Sequence, residues 1–201
     1  LRNKKTTLAT IAAYINAEGG IYPESYGAVG DGVTDDKTAL QAAATAASGG
    51  RLVLKAKTYL TSVGIIIPAN TTVTGAGKYT TKLKLSAAVD GFEMTGSGSK
   101  LQDLTVDGNS IGLTGVHSDT VSNVTVQNVR AMNCVYHGFA LTNATYNKLI
   151  EVDAIDVGYR GVIIDPNSAY NQVIGLYAHG CGAAAVLIGH NSHHNFVTGV
   201  V

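Results

Sequence analysis

From Gly91 onward, short stretches of alternating apolar and polar residues recur at a near-constant distance. They read Gly91-Phe-Glu-Met-Thr, Gly115-Val-His-Ser-Asp, Gly138-Phe-Ala-Leu-Thr, Gly161-Val-Ile-Ile-Asp and Ala185-Val-Leu-Ile-Gly, each 23 or 24 residues after the last. Alternation over so few positions predicts β-strands with one buried and one outward face. A strand of this length cannot bury its apolar side alone, so a fixed period of about 24 residues predicts coils that stack and hydrogen-bond to their neighbours. Asn123, Asn147, Asn171 and Asn195 form a second register, spaced 24 residues apart. They read as a ladder at a sharp turn, where Asn tolerates left-handed backbone angles and its amide can bond along the stack. The pattern predicts an all-β parallel solenoid.

The first third of the chain has a different texture. Leu8, Ile11, Ala12 and Ile15 fall at helical spacing within Thr7 to Ala17, which predicts an amphipathic helix or linker over residues 1–21. Residues 22–201 then form the solenoid. Between Lys37 and Ala47 the apolar stripe of Leu40, Ala43, Ala44 and Ala47 predicts a second helix, with Asp35 and Asp36 at its N-cap and first turn. Strands are expected at Arg51 to Leu54, Tyr59-Leu60 and Ile65 to Ile67. An alanine-faced helix placed just before the first coil suits the task of covering an open solenoid end.

Composition agrees. The 201 residues are 45% hydrophobic and include 24 Gly, three Pro and no Trp, as expected of many short strands and tight turns. Lys+Arg and Asp+Glu are equal at 14 each, which argues against nucleic-acid binding and against attraction to an anionic membrane. No apolar run is long enough for membrane insertion. Cys134 and Cys181 match no zinc spacing and are expected as free thiols near the core. Gly75-Ala76-Gly77-Lys78 lacks the first glycine of a phosphate loop and reads as a turn. The sequons at Asn70, Asn123 and Asn143 are set aside because stacking is expected to bury Asn123.

The segment Tyr26-Gly-Ala-Val-Gly-Asp-Gly-Val-Thr-Asp-Asp36, the helix containing Leu40-Gln41-Ala42-Ala43, then Gly49-Gly50-Arg51-Leu52-Val53-Leu54 and Thr58-Tyr59-Leu60, resemble the opening of pectate-lyase-superfamily β-helices. Phage tailspikes, polysaccharide depolymerases and the catalytic modules of mannuronan epimerases share that opening. The resemblance covers about residues 22–201. It implies a right-handed, single-stranded parallel β-helix with a short N-terminal capping helix, a polysaccharide partner, a homotrimer, and a place in a virion tail or outside the cell. The epimerases carry Asp-Pro-His-Glu on the strand that begins at Gly138, where this chain has Ala140-Leu141-Thr142-Asn143, so that chemistry is not expected there.

If the residue after each strand glycine points inward, Phe92, Val116, Phe139, Val162 and Val186 form one core column, and Met94, Leu141, Ile164 and Ile188 another. Glu93, His117, Ala140, Ile163 and Leu187 then face outward, beside Thr95, Asp119, Thr142, Asp165 and Gly189. Asp119 and Asp165 share a column two coils apart, roughly 9 to 10 Å at about 4.8 Å per coil. That is near the gap of roughly 6.5 to 9.5 Å that inverting glycosidases use to seat a water, so these two are the candidate catalytic acids. Glu93, His117, Thr142, Arg160 and His190 are the candidate substrate-binding residues. His190, His193 and His194 lack an accompanying carboxylate or cysteine, so no metal site and no cofactor are expected. His137 and His179 read as turn residues.

Three functions fit this reading. The first is a tailspike-like protein that binds and depolymerises a host cell-surface polysaccharide, as a glycoside hydrolase or lyase. The second is a bacterial polysaccharide lyase or epimerase. The third is a non-catalytic shaft or adhesin segment, favoured by the outward apolar residues Ala140, Ile163 and Leu187. The sequence stops in mid-coil, which is expected of a chain whose C-terminal end is truncated.

Overall fold

The computed structural model describes residues 19–201. The helix expected over Thr7 to Ala17 lies outside the described residues. The remainder is a parallel β-solenoid with one short helix, Lys37–Ala46, near its start. The strands follow in chain order as β1 (Asp31–Asp35), β2 (Arg51–Val53), β3 (Thr58–Thr61), β4 (Ile65–Ile67), β5 (Thr72–Thr74) and β6 (Lys82–Leu85). After them come β7 (Phe92–Met94), β8 (Lys100–Asp107), β9 (Thr114–Asp119), β10 (Thr125–Met132) and β11 (His137–Thr142). The last are β12 (Lys148–Ile155), β13 (Arg160–Ile164), β14 (Gln172–His179), β15 (Ala184–Ile188) and β16 (Phe196–Val200).

One wall is a six-stranded parallel sheet in the order β15-β13-β11-β9-β7-β4. The other is a ten-stranded sheet whose long strands bend at Asp103, Asn128, Glu151, Gly175 and Gly199, each with a positive φ. The bend separates two arms, because β5 pairs with the first half of β8 and β6 with the second half. Each coil therefore has three sides around a common core.

The core is built from vertical files. Phe92, Val116, Phe139, Val162 and Val186 are successive register partners, as are Leu101, Val126, Leu149 and Val173. Phe92, Phe139 and Val162 are wholly buried. The expected inward file of Met94, Leu141, Ile164 and Ile188 also forms, with Ser118 filling the coil that has no apolar residue there. The strand-start glycines answer to close approach: a Cβ at Gly91, Gly115 or Gly138 would lie 2.5 to 2.7 Å from the carbonyl oxygen of the next coil's glycine.

The helix buries Ala39, Leu40, Ala43 and Ala44. Gln41 covers the edge of the six-stranded sheet directly. Its Nε2 donates to the Ile66 carbonyl (3.1 Å) and its Oε1 accepts from the Ile66 N–H (2.9 Å), supplying the two bonds a further strand would have made. Asp36 sits at the N-cap position but makes no side-chain cap bond. Its carboxylate instead accepts from the N–H groups of Val29 and Gly30 (2.7 and 3.0 Å), fixing the glycine-rich opening loop against the first coil. Asp35 caps, accepting from the Lys37 N–H at 3.2 Å.

The asparagine ladder needs correction. Asn147, Asn171 and Asn195 form a file in which each amide serves the coil before its own. Asn171 Oδ1 accepts from the Asn147 N–H (2.9 Å), and Asn171 Nδ2 donates to the Ala144 carbonyl (2.8 Å). Asn195 repeats both contacts on Asn171 and Ser168. Asn123 is not a member. The β10–β12 register advances 23 residues (Thr125 to Lys148) rather than 24, so Val124 holds the ladder position and donates its N–H to Asn147 Oδ1 at 2.7 Å. Asn123 is exposed, in the left-handed position that Tyr146, Tyr170 and His194 occupy in later coils. Burial is therefore no argument against its sequon.

Candidate functional site

The outward surface of the six-stranded sheet carries three files of side chains. Glu93, His117, Ala140, Ile163 and Leu187 are register partners along its middle. Asp119 and Thr142 are paired in the next file, and Asp165 follows them one coil on, its N–H bonded to the Leu141 carbonyl. Before the middle file run Thr114, His137, Arg160 and Ala184, with Asp90 bonded to Thr114 from the coil below (3.0 Å).

His117 is the best-organised group on this face. Its Nδ1 lies 2.9 Å from Asp90 Oδ2 and its Nε2 lies 3.2 Å from Thr142 Oγ1, so one imidazole links three coils. The hydrogen bond with Asp90 raises the His117 pKa above its ordinary value against the opposing effect of burial. Burial pushes the Asp90 carboxyl up, but the bond from His117 and its charge outweigh this, leaving Asp90 below the usual carboxylate range. An imidazole held by a carboxylate on one nitrogen and facing a hydroxyl on the other is oriented to exchange a proton with a ligand in Thr142's place. Asp90, two residues before the strand β7, gave no sign of this in the sequence, because its partner lies one coil further on.

The two candidate acids are close in file but turned to different neighbours. Asp119 accepts from the Thr120 hydroxyl (2.9 Å). Asp165 faces His190 Nδ1 (3.2 Å) in the coil beyond. Thr142 occupies the coil between them. Glu93 leans away from His117 toward the earlier coil, its carboxylate lying over Gly64 where a side chain would otherwise be. Ala140 is 5% exposed and Ile163 and Leu187 are half-buried, so the apolar outward stripe is no open patch.

His137 is not a turn residue. It opens β11 on the outward side and, with Val135, Tyr136, Gly158 and Tyr159, lines a concavity of about 510 Å³. Burial lowers its pKa, and the nearby Arg160 charge adds to that. Arg160 lies over the Tyr159 ring at 3.8 Å and donates to its hydroxyl at 3.0 Å. His179 ends β14 and is exposed, 3.6 Å from Asp156. His194 stacks on Tyr170 at 5.0 Å, extending the Tyr146–Tyr170 stack along the turn. Cys134 and Cys181 are free, and burial pushes the Cys134 thiol up to about 12. Among the described residues, no group of three His, Cys, Asp or Glu side chains is placed to hold a metal, and no helix is long and apolar enough to cross a membrane.

Residues 24–95 match the family profile described as rhamnogalacturonase A/epimerase, pectate lyase-like. The match covers the opening of the chain as far as β7. The chain also aligns with phage proteins. The pre-neck appendage protein of Bacillus phage phi29 is 32% identical over 144 residues, covering 61% of this chain and 17% of that protein. The capsule K30/K69-specific depolymerase 1 of Klebsiella phage K5-2 is 47% identical over 58 residues, 29% of this chain and 7% of that protein. Among solved structures, ORF18 of Geobacillus virus E2 superposes with a TM-score of 0.77 at 20% identity, over all of this chain and 46% of that one. The chain spans a minor part of the length of the curated relatives it matches.

Proposed function

We propose that this chain is the solenoid portion of a phage appendage of the tailspike kind, which binds a host cell-surface polysaccharide along the outward face of the six-stranded sheet and depolymerises it. The observation that carries the reading is the Asp90–His117–Thr142 chain of contacts beside Asp119 and Asp165. Here polar side chains from successive coils converge without repeating. The relatedness to a phage appendage protein and to a capsule depolymerase supports the polysaccharide as ligand and the virion as location. A homotrimer belongs to the same proposal.

Asp119 and Asp165 are assigned as the acid pair, one protonating the glycosidic oxygen and the other activating water, as in inverting hydrolysis. His117, held by Asp90, is assigned to bind the sugar between them. The test incubates the full-length protein with purified host capsule or O-antigen and weighs the products. Hydrated ends that disappear in both Asp119→Asn and Asp165→Asn support the assignment. Unsaturated ends indicate elimination and remove the acid pair. Binding without products favours an adhesin, and neither binding nor products removes the proposal.

A further inference from the structure

We infer that this face takes an uncharged polysaccharide, not a polyuronate, and seats one of its pyranose rings in the concavity between Tyr136 and Tyr159; the inference rests on the polysaccharide reading above. Tyr136 is 51% exposed and Tyr159 43% exposed, on consecutive coils. With His137 between them, at 6.3 Å from the Tyr136 ring and 5.7 Å from the Tyr159 ring, they line a concavity of about 510 Å³. The notch is open because the neighbouring coils offer little there. Ala183 and Ala184 follow above Tyr159 and Arg160, and Gly112 and Leu113 lie below Val135 and Tyr136.

Three rings set around one notch have no packing role that would account for their exposure. A pyranose has an apolar C–H face and a rim of hydroxyls, which suits an aromatic wall with polar edges. Tyr159 is already held in place, because Arg160 lies on its ring and bonds its hydroxyl. A pre-ordered ring lowers the entropy cost of binding.

Charge selects the class of sugar. The three outward files carry the carboxylates of Asp90, Glu93, Asp119 and Asp165 and one fixed cation, Arg160. The charges of His117 and Asp90 match one another, which leaves the carboxylates of Glu93, Asp119 and Asp165 against the single guanidinium of Arg160. A polyuronate brings a carboxylate on every ring, so this strip repels it, whereas a neutral or N-acetylated chain meets no such barrier.

The test presents neutral and N-acetylated oligosaccharides, oligogalacturonates of matching length and purified host-surface polysaccharide to the intact protein, with Tyr136→Ala, Tyr159→Ala and the two Tyr→Phe variants alongside. Neutral glycans should bind, with affinity falling at least tenfold in each Ala variant, held within about threefold in each Phe variant, and melting curves unchanged. Oligogalacturonate binding that weakens in Arg160→Gln would overturn the inference while leaving the polysaccharide reading intact. Neutral binding indifferent to both tyrosines would overturn the pocket. No binding of any of these polysaccharides removes the reading and the inference together.

Discussion

Two regions of the solenoid are built from the same repeat and use it in opposite ways. At the corner before β12, β14 and β16, equivalent positions in successive coils hold alike residues that bond one another: Asn147, Asn171 and Asn195 inside, Tyr146, Tyr170 and His194 stacked outside. On the outward face of the six-stranded sheet, equivalent positions hold unlike residues, such as Thr114, His137, Arg160 and Ala184. A file that repeats is solving the same backbone problem in every coil. A file that changes is under no such demand and is free to be shaped to something other than the next coil. The candidate site lies on files of the second kind, and the corner that ties coil to coil is built from files of the first.

The largest expected effect is at the buried corner. Asn171→Ala leaves the Asn147 N–H without a partner in a buried place, at about 1–3 kcal/mol, while the Ala144 carbonyl loses one of two bonds and keeps the Ala169 N–H, at about 0.5–1.5 kcal/mol. Denaturant unfolding should show a loss of about 1.5–4.5 kcal/mol by that arithmetic. The exposed corner should respond less. Asn143, Asn167 and Asn191 form a second file, all with positive φ, joined amide to amide at 3.3 and 3.4 Å. Asn167→Ala should cost about 1 kcal/mol, because Ala lacks the polar side chain that lets Asn tolerate the left-handed region, and Asn167→Gly close to nothing. Equal losses for Asn171→Ala and Asn167→Ala would erase the distinction between the two files.

On the face, substitutions should move titration more than stability. Asp90→Asn should lower the His117 pKa toward its ordinary value of about 6.5, read from the imidazole proton shifts against pH. The pair also sets a pH window. The raised His117 pKa adds stability that is complete below about pH 6.5 and is lost as pH rises through the folded value. The depressed Asp90 pKa adds stability present above about pH 3.9 and lost as pH falls through its folded value. Asp119→Asn, on an exposed side chain, should change stability by less than about 0.5 kcal/mol.

Much of the fold was legible because period and alternation are properties of the string itself. The core files of Phe92 and Met94, the strand-start glycines and the helix over Leu40 to Ala44 follow from spacing alone. Counting failed where a coil is one residue shorter: a strict 24 placed Asn123 in a ladder that the chain enters at Val124. Asn143, Asn167 and Asn191, also 24 residues apart, are the file in which the left-handed backbone and the amide-to-amide bonds both occur. The site was less legible for a physical reason. His117 meets Asp90 and Thr142 across 27 and 25 residues, and Arg160 meets Tyr159 through ring stacking, so each contact depends on side-chain direction rather than on spacing. Asp119 and Asp165 were found as a file, but their turn toward Thr120 and His190 was invisible to the count.

The claim at the centre of this account is that ligand meets the changing face and not the repeating corner. Hydrogen exchange of the backbone amides, compared with and without saturating host polysaccharide, tests it most directly. The account predicts added protection in His137–Thr142 and Arg160–Ile164, with the corner residues 143–147 and 167–171 unaffected. Protection confined to those two corner segments, with both strands unchanged, would contradict it.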